Sequence, residues 1–180
     1  GAILVSNVRN LSEIENIELP IFKVEICEIL KDIISDIKEN YDKRMIKINF
    51  ESRVNKYYVK ANELLSNVFI NIIDNAIKYN NSQNIEISIA ISDNLINNIE
   101  YVKIEFLDNG FGIPDDMKEN VFQRAFNKKN TAGMGLGLSL VKKIIEKYNG
   151  QIWVEDRIQG DRSKGSNFVI LLQAVNEFLD

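Results

Sequence analysis

The stretch from Leu64 to Tyr79, LLSNVFINIIDNAIKY, constrains the chain more than any other. Leu64, Leu65, Val68, Ile72, Ile73, Ala76 and Ile77 recur at helical spacing and turn a broad apolar face toward a core. The other side carries Glu63, Asn67, Asn71 and Asn75 four residues apart, closed by Lys78 and Tyr79, so all six project from one side of the helix. Amides are weaker helix formers than the Lys, Glu or Arg of an ordinary solvated face. They donate and accept hydrogen bonds without charge, which suits a surface meeting phosphate oxygens and a hydrated metal ion together. An Asn-rich composition produces the same row, so the helix alone leaves both readings open.

With 180 residues, 45% of them hydrophobic, the chain holds one well-buried α/β core and not two. Its 22 basic and 26 acidic residues give a net charge of -4, and no long run of Lys or Arg follows a nucleic-acid backbone. Nucleic acid is therefore not an expected partner. The single cysteine, Cys27, forms no internal disulfide and sits in an apolar helical row, as a buried thiol in a reducing compartment does. No stretch is long and apolar enough to span a bilayer, and the first residues lack a signal-peptide layout. The expected location is the cytoplasm, without direct membrane insertion of this chain, either free or as the cytosolic part of a membrane-bound sensor. There is no histidine, which removes the commonest general base, metal ligand and phosphoryl acceptor from this chain.

Along the chain, Ala2 to Glu15 reads as a helix with Leu4, Val8 and Leu11 on one narrow stripe that needs a partner. Ile17 to Phe22 is a connector or edge strand around Pro20, followed by a helix from Val24 that Asn40 terminates. Met45 to Glu51 and Tyr57 to Lys60 read as strands that lead into the Asn-bearing helix. Ile85 to Ile91 and Tyr101 to Leu107 alternate as a hairpin joined by Ser92 to Asn98. The chain turns at Asp108 to Pro114, and Asp115 to Phe126 holds a short helix capped by Asp115 or Asp116. Asn127 to Met134 is a polar, Gly-containing loop. Leu136 to Tyr148 is an amphipathic helix closed by Asn149-Gly150, and Gln151 to Asp156 and Ser166 to Leu172 are strands joined by a polar link.

Three places beyond the helix carry chemistry. Gly133-Met134-Gly135-Leu136-Gly137-Leu138 opens a helix, where clustered glycines let backbone N–H groups approach an anion. It is neither a dinucleotide fingerprint nor a Walker loop, and a glycine hinge closing a loop has the same composition. Asp108 ends an apolar strand directly before Gly110 and Gly112, so its carboxylate can accept from an exocyclic amine of a flat ligand. A plain Asp-Asn-Gly turn is the alternative. Lys78 and Tyr79 offer a cation for phosphate beside a ring that stacks on a base, or simply a C-terminal Lys favoured by the helix dipole next to a packing ring.

Taken in order, the Asn-bearing helix, Asp108-x-Gly110-x-Gly112, Val121-Phe122-Gln123-Arg124-Ala125-Phe126 and Gly133-x-Gly135-x-Gly137 resemble the N-box, first glycine box, F-box and second glycine box of sensor histidine kinases. The match covers roughly residues 61 to 172. The resemblance implies a Bergerat-type ATP site, shared with gyrase, mismatch-repair ATPases and the large heat-shock chaperone. The expected fold is an α/β (α+β) two-layer sandwich, a mixed, mostly antiparallel sheet of about five strands under three helices. Residues 1–16 then resemble the end of a dimerisation helix and 17–180 the catalytic domain.

By the same resemblance, Asn75 holds Mg²⁺, Asn71 and Lys78 approach the phosphates, Tyr79 lies on the adenine, and Asp108 takes its amino group. Gly110, Gly112 and Ile113 admit the base, Phe122 belongs to the F-box, and Gly133, Gly135, Leu136, Gly137 and Leu138 flank the triphosphate and hinge the lid. Glu63 and Asn67, a turn or two before Asn75, are expected nearest the incoming nucleophile. Relatives often carry Arg after the second Phe of the F-box; here Asn127 stands there, and Lys128 or Lys129 is expected to supply the cation. The resemblance further implies a histidine-bearing dimerisation domain upstream, a response regulator receiver domain as partner, and a homodimer through the upstream helices. Two other readings share the sandwich: a nucleotide-controlled interaction module without phosphoryl transfer, and a serine kinase of the anti-sigma type.

Overall fold

The computed structural model describes residues 20–40, 45–123 and 136–175. The helix expected over Ala2 to Glu15 and the loop Asn127 to Met134 lie outside them.

Alternation of apolar residues along the strands builds a five-stranded mixed sheet in the order β2-β4-β5-β7-β6. Its strands are β2 (Met45–Ser52), β4 (Asn84–Ile96), β5 (Ile99–Asp108), β6 (Gln151–Ile158) and β7 (Asp161–Gln173). Only β2 and β4 are parallel; the other neighbours run antiparallel. Three helices, α1 (Ile26–Asn40), α2 (Leu64–Lys78) and α3 (Leu136–Lys147), cover one face. Their apolar rows meet Ile85, Ile87, Ile89, Ile91, Val102, Ile104, Phe106, Ile170 and Leu172 in one continuous core. Phe69 of α2 packs on Phe106 of β5 with ring centroids 5.6 Å apart, so the Asn-bearing helix is seated on the middle of the sheet. This is the two-layer sandwich that the family resemblance implied.

Several boundaries fall elsewhere than the sequence suggested, each for a local reason. The helix expected from Val24 begins at Ile26, because the Glu25 carboxylate accepts from Cys27 N–H at 2.8 Å and Glu28 N–H at 3.0 Å and so caps it. Phe22–Glu25 is instead strand β1, paired with β3 (Tyr58–Ala61) in a separate two-stranded sheet. Strand β4 runs on to Ile96, and the hairpin closes at Asn97 and Asn98, both left-handed at φ 50° and 63°, as a two-residue primed turn requires. Strand β7 likewise starts at Asp161, absorbing most of the polar link. The short helix expected from Asp115 is two 3-10 turns, Asp115–Met117 and Asn120–Phe122, and no side chain caps either one. At the end of α3, Asn149 is left-handed and Gly150 N–H donates to Ile145 O at 2.9 Å, the closing bond expected of Asn-Gly after a helix.

Candidate nucleotide site

The sheet ends where α2 ends. Asp108, the last residue of β5, is 6% exposed, and its Oδ1 accepts from Gly110 N–H at 2.7 Å and Ser166 N–H at 3.2 Å. Burial raises its carboxyl above the ordinary range, partly offset by the two amides and by the Arg157 charge. Among the described residues no donor reaches Oδ2, which leaves one carboxylate oxygen available to a ligand. Ser166 was not foreseen as a site residue; its backbone amide matters here, and backbone donors leave no trace in side-chain patterns.

Beyond Asp108 the chain leaves the sheet and Phe111 N–H donates to Tyr79 O at 3.2 Å, which brings the expected base loop onto the end of α2. Gly110 is buried there. Gly112 has φ +68°, and a Cβ on it would be driven into the Arg162 carbonyl, so glycine is required by conformation and by space. Ile113 packs partly buried against the core edge.

On α2, Glu63 and Lys78 are exposed, and Asn67, Asn71, Asn75 and Tyr79 are half-buried. The Lys78 ammonium lies 5.6 Å from the Tyr79 ring centroid, within reach of a cation–π contact. Asn71 Nδ2 donates to Asn67 O at 2.7 Å. Its Oδ1 faces α3, where a Cβ on Gly137 would come to 2.8 Å from it. The amide row and the start of the glycine-bearing helix therefore meet in space, as the ordered motifs require. Leu138 packs half-buried on the core. Phe122 is buried edge-on against Phe168, centroids 6.2 Å apart. Lys128, Lys129, Gly133, Gly135 and the Leu136 side chain lie outside the description.

The first turn of α2 is fixed from a distance. Asn62 Oδ1 accepts from Leu64 N–H at 3.0 Å and from the Tyr148 hydroxyl at 2.6 Å, joining the end of α3 to the turn that bears Glu63.

A sheet covered on one face by helices, with a buried carboxylate at a strand end, an amide-lined helix beside it and a glycine-flanked helix start opposite, defines a sandwich-type ATPase or kinase catalytic domain. The chain belongs to the histidine kinase-, DNA gyrase B- and HSP90-like ATPase family, whose sequence model matches residues 61–176. It is 32% identical over 166 residues to the adaptive-response sensory kinase SasA of Crocosphaera subtropica, covering 89% of this chain and 42% of that protein. The chain spans 22% to 42% of the length of these curated relatives. It superposes on the nucleotide-free catalytic domain of histidine kinase ThkA with a TM-score of 0.72 at 28% identity, covering 86% of this chain and 96% of that one. ThkA in complex with the response regulator TrrA shares the fold, with a TM-score of 0.75 at 24% identity over 99% of this chain and 49% of that one.

Proposed function

We propose that this chain is the ATP-binding catalytic part of a two-component sensor histidine kinase, delivering the ATP γ-phosphoryl group to a histidine on a dimerisation domain of the same parent protein. The observation that carries the proposal is the convergence of the Asp108 carboxylate, the α2 amide row and the start of α3 at one end of the sheet, in a chain that contains no histidine. An imidazole nitrogen of the acceptor attacks the γ-phosphorus, the bond to the bridging oxygen breaks, and ADP leaves. Asp108 Oδ2 accepts from the adenine amino group, Tyr79 lies on the base, Lys78 and Asn71 face the phosphates, and Glu63 and Asn67 lie toward the incoming nucleophile. The cation opposite the transferring group is assigned to Lys128 or Lys129.

A divalent cation fits this donor set. Among the described residues no group of three or more His, Cys, Asp or Glu is placed to hold a metal. Mg²⁺ is held by one or two protein oxygens together with nucleotide phosphates, and the half-buried Asn75 amide offers such an oxygen. When bound, Mg²⁺ supplies charge neutralisation at the phosphates. No helix among the described residues is long and apolar enough to cross a membrane, which accords with a cytoplasmic site of action. By analogy with the ThkA complex, a response regulator receiver domain receives the phosphoryl group from the dimerisation domain.

Incubation with labelled ATP tests the reading. This chain alone should bind ATP and stay unlabelled; with the parent's dimerisation domain supplied in trans it should label that domain in an acid-labile linkage. Stable label on this chain would favour the serine kinase, and binding without label on either piece would favour the interaction module.

A further inference from the structure

Two amides that the functional reading leaves unused tie down the loop carrying Asp108. Strand β5 ends at Asp108, paired with Ile87, while β4 begins at Asn84. The peptide edge of β4 at Asn84 and Glu86 would lose its partners where the main chain departs toward Tyr79. Asn109 closes that edge with its side chain. Its N–H donates to Glu86 O at 3.2 Å as in an ordinary ladder, but the return bond is made by the carboxamide: Oδ1 accepts from Glu86 N–H at 2.9 Å and Nδ2 donates to Asn84 O at 3.0 Å. The Asn109 carbonyl is thereby released from the sheet, and the loop can turn.

The same Oδ1 accepts a second bond, from Asn80 Nδ2 at 2.7 Å. Asn80 is 3% exposed, its own Oδ1 accepts from Ser82 N–H at 2.9 Å, and it directly follows Lys78 and Tyr79. One part-buried amide–amide contact therefore joins the exit of α2 to the residue behind Asp108. Asn80 is buried, so separation leaves its Nδ2 donor without this partner away from water, and the contact admits little freedom.

We propose that Asn80 and Asn109 are positioning residues for the adenine end of the nucleotide, their amide pair setting the separation between the Asp108 carboxylate and Lys78 with Tyr79. The proposal rests on the ATP-site reading above. Neither residue touches the nucleotide; both act through the groups that do.

The test is calorimetric titration of the chain with Mg·ADP, and separately with adenosine, for the parent, Asn80→Ala, Asn109→Ala, the double variant and Asn109→Asp. Each single alanine variant should weaken ADP and adenosine by the same factor, about 5- to 10-fold, at unchanged stoichiometry. The double variant should weaken them no further than the worse single one, because both remove one contact. Asn109→Asp keeps the acceptor for Asn80 and Glu86, although it loses the Nδ2 donor to Asn84 O, and should bind ADP more tightly than Asn109→Ala. Asn80→Ala leaves the Asn109 bonds to β4 intact, so it remains informative if Asn109→Ala fails to fold. Parent-like ADP affinity in folded Asn80→Ala, or additive losses in the double variant, overturns the positioning role. A parent chain that binds neither ligand overturns the ATP-site reading itself, and this proposal with it.

Discussion

On the reading proposed above, the base end and the phosphate end of the site are built differently. At the base end the groups are held by the protein itself: Asp108 Oδ1 by two amides, the Asn109 carboxamide by three partners, and Phe111 N–H by the Tyr79 carbonyl. At the phosphate end Lys78 is exposed and rests over the Tyr79 ring, and Asn71 spends its Nδ2 on its own helix. The base end is preorganised and contributes affinity without ordering cost, whereas phosphate-end side chains lose rotamer freedom when they engage a ligand. Substitutions at the first should disturb fold and affinity together. Substitutions at the second should change affinity alone.

Gly112→Ala is the severest way to break this contrast. The left-handed backbone and the Arg162 carbonyl both oppose a side chain there, so a loss of about 3 kcal/mol is expected in urea unfolding. Parent-like stability would mean that the base loop yields easily and that the base end is not rigid.

Asp108→Asn comes next and separates stability from binding. The amide keeps an oxygen for Gly110 and Ser166 but turns an NH2 donor toward the adenine amine where the parent offers the acceptor Oδ2, so Mg·ADP affinity should fall about 10- to 100-fold. Burial raises the Asp108 carboxyl in the folded chain above its ordinary 3.8. A group raised on folding contributes stability that is full below its unfolded value and is lost as pH rises through its folded value. At neutral pH the buried charge is therefore a burden, and thermal melting should find Asp108→Asn no less stable than the parent. A clearly lower melting temperature would show that the charge itself holds the loop.

Much of this was legible in the sequence because α2 and the β4–β5 hairpin alternate so regularly that period alone assigns them. The ordered glycine and Asn motifs then pointed to Asp108, Asn71, Asn75 and Gly137, of which the structure sets Asn71 beside Gly137. What escaped was chemistry without period. Glu25 moved a helix start by capping it, and Asn97-Asn98 shortened a loop by taking left-handed conformations. Asn109 read as a turn residue because its pairing with Asn80 joins positions 29 apart.

Asn75→Ala probes the phosphate end. The side chain is half-buried at the helix surface, so stability should stay within about 0.5 kcal/mol of the parent. Mg·ADP should bind about 10-fold more weakly, while adenosine, which has no phosphate, should bind as before. Equal weakening of both ligands in parallel titrations would place Asn75 at the base end and erase the division.

Arg157→Gln should have the smallest effect and is the sharpest test of the base end's electrostatics. Its guanidinium lies 3.7 Å from the Glu86 carboxylate, whose side chain is 49% exposed, so that pair is worth roughly 0–1 kcal/mol. Arg157 also lowers the Asp108 carboxyl against the larger upward effect of burial. Removing the charge should let Asp108 titrate at higher pH than in the parent. On the alkaline side of the limb ADP affinity should be unchanged; as pH falls, protonation of Asp108 removes the acceptor for the adenine amine. The acid limb of ADP affinity should therefore move to higher pH in Arg157→Gln, with the plateau in place. Coincident pH profiles for the two proteins would mean that the acid limb belongs to another group and that Asp108 does not carry the base contact as a carboxylate.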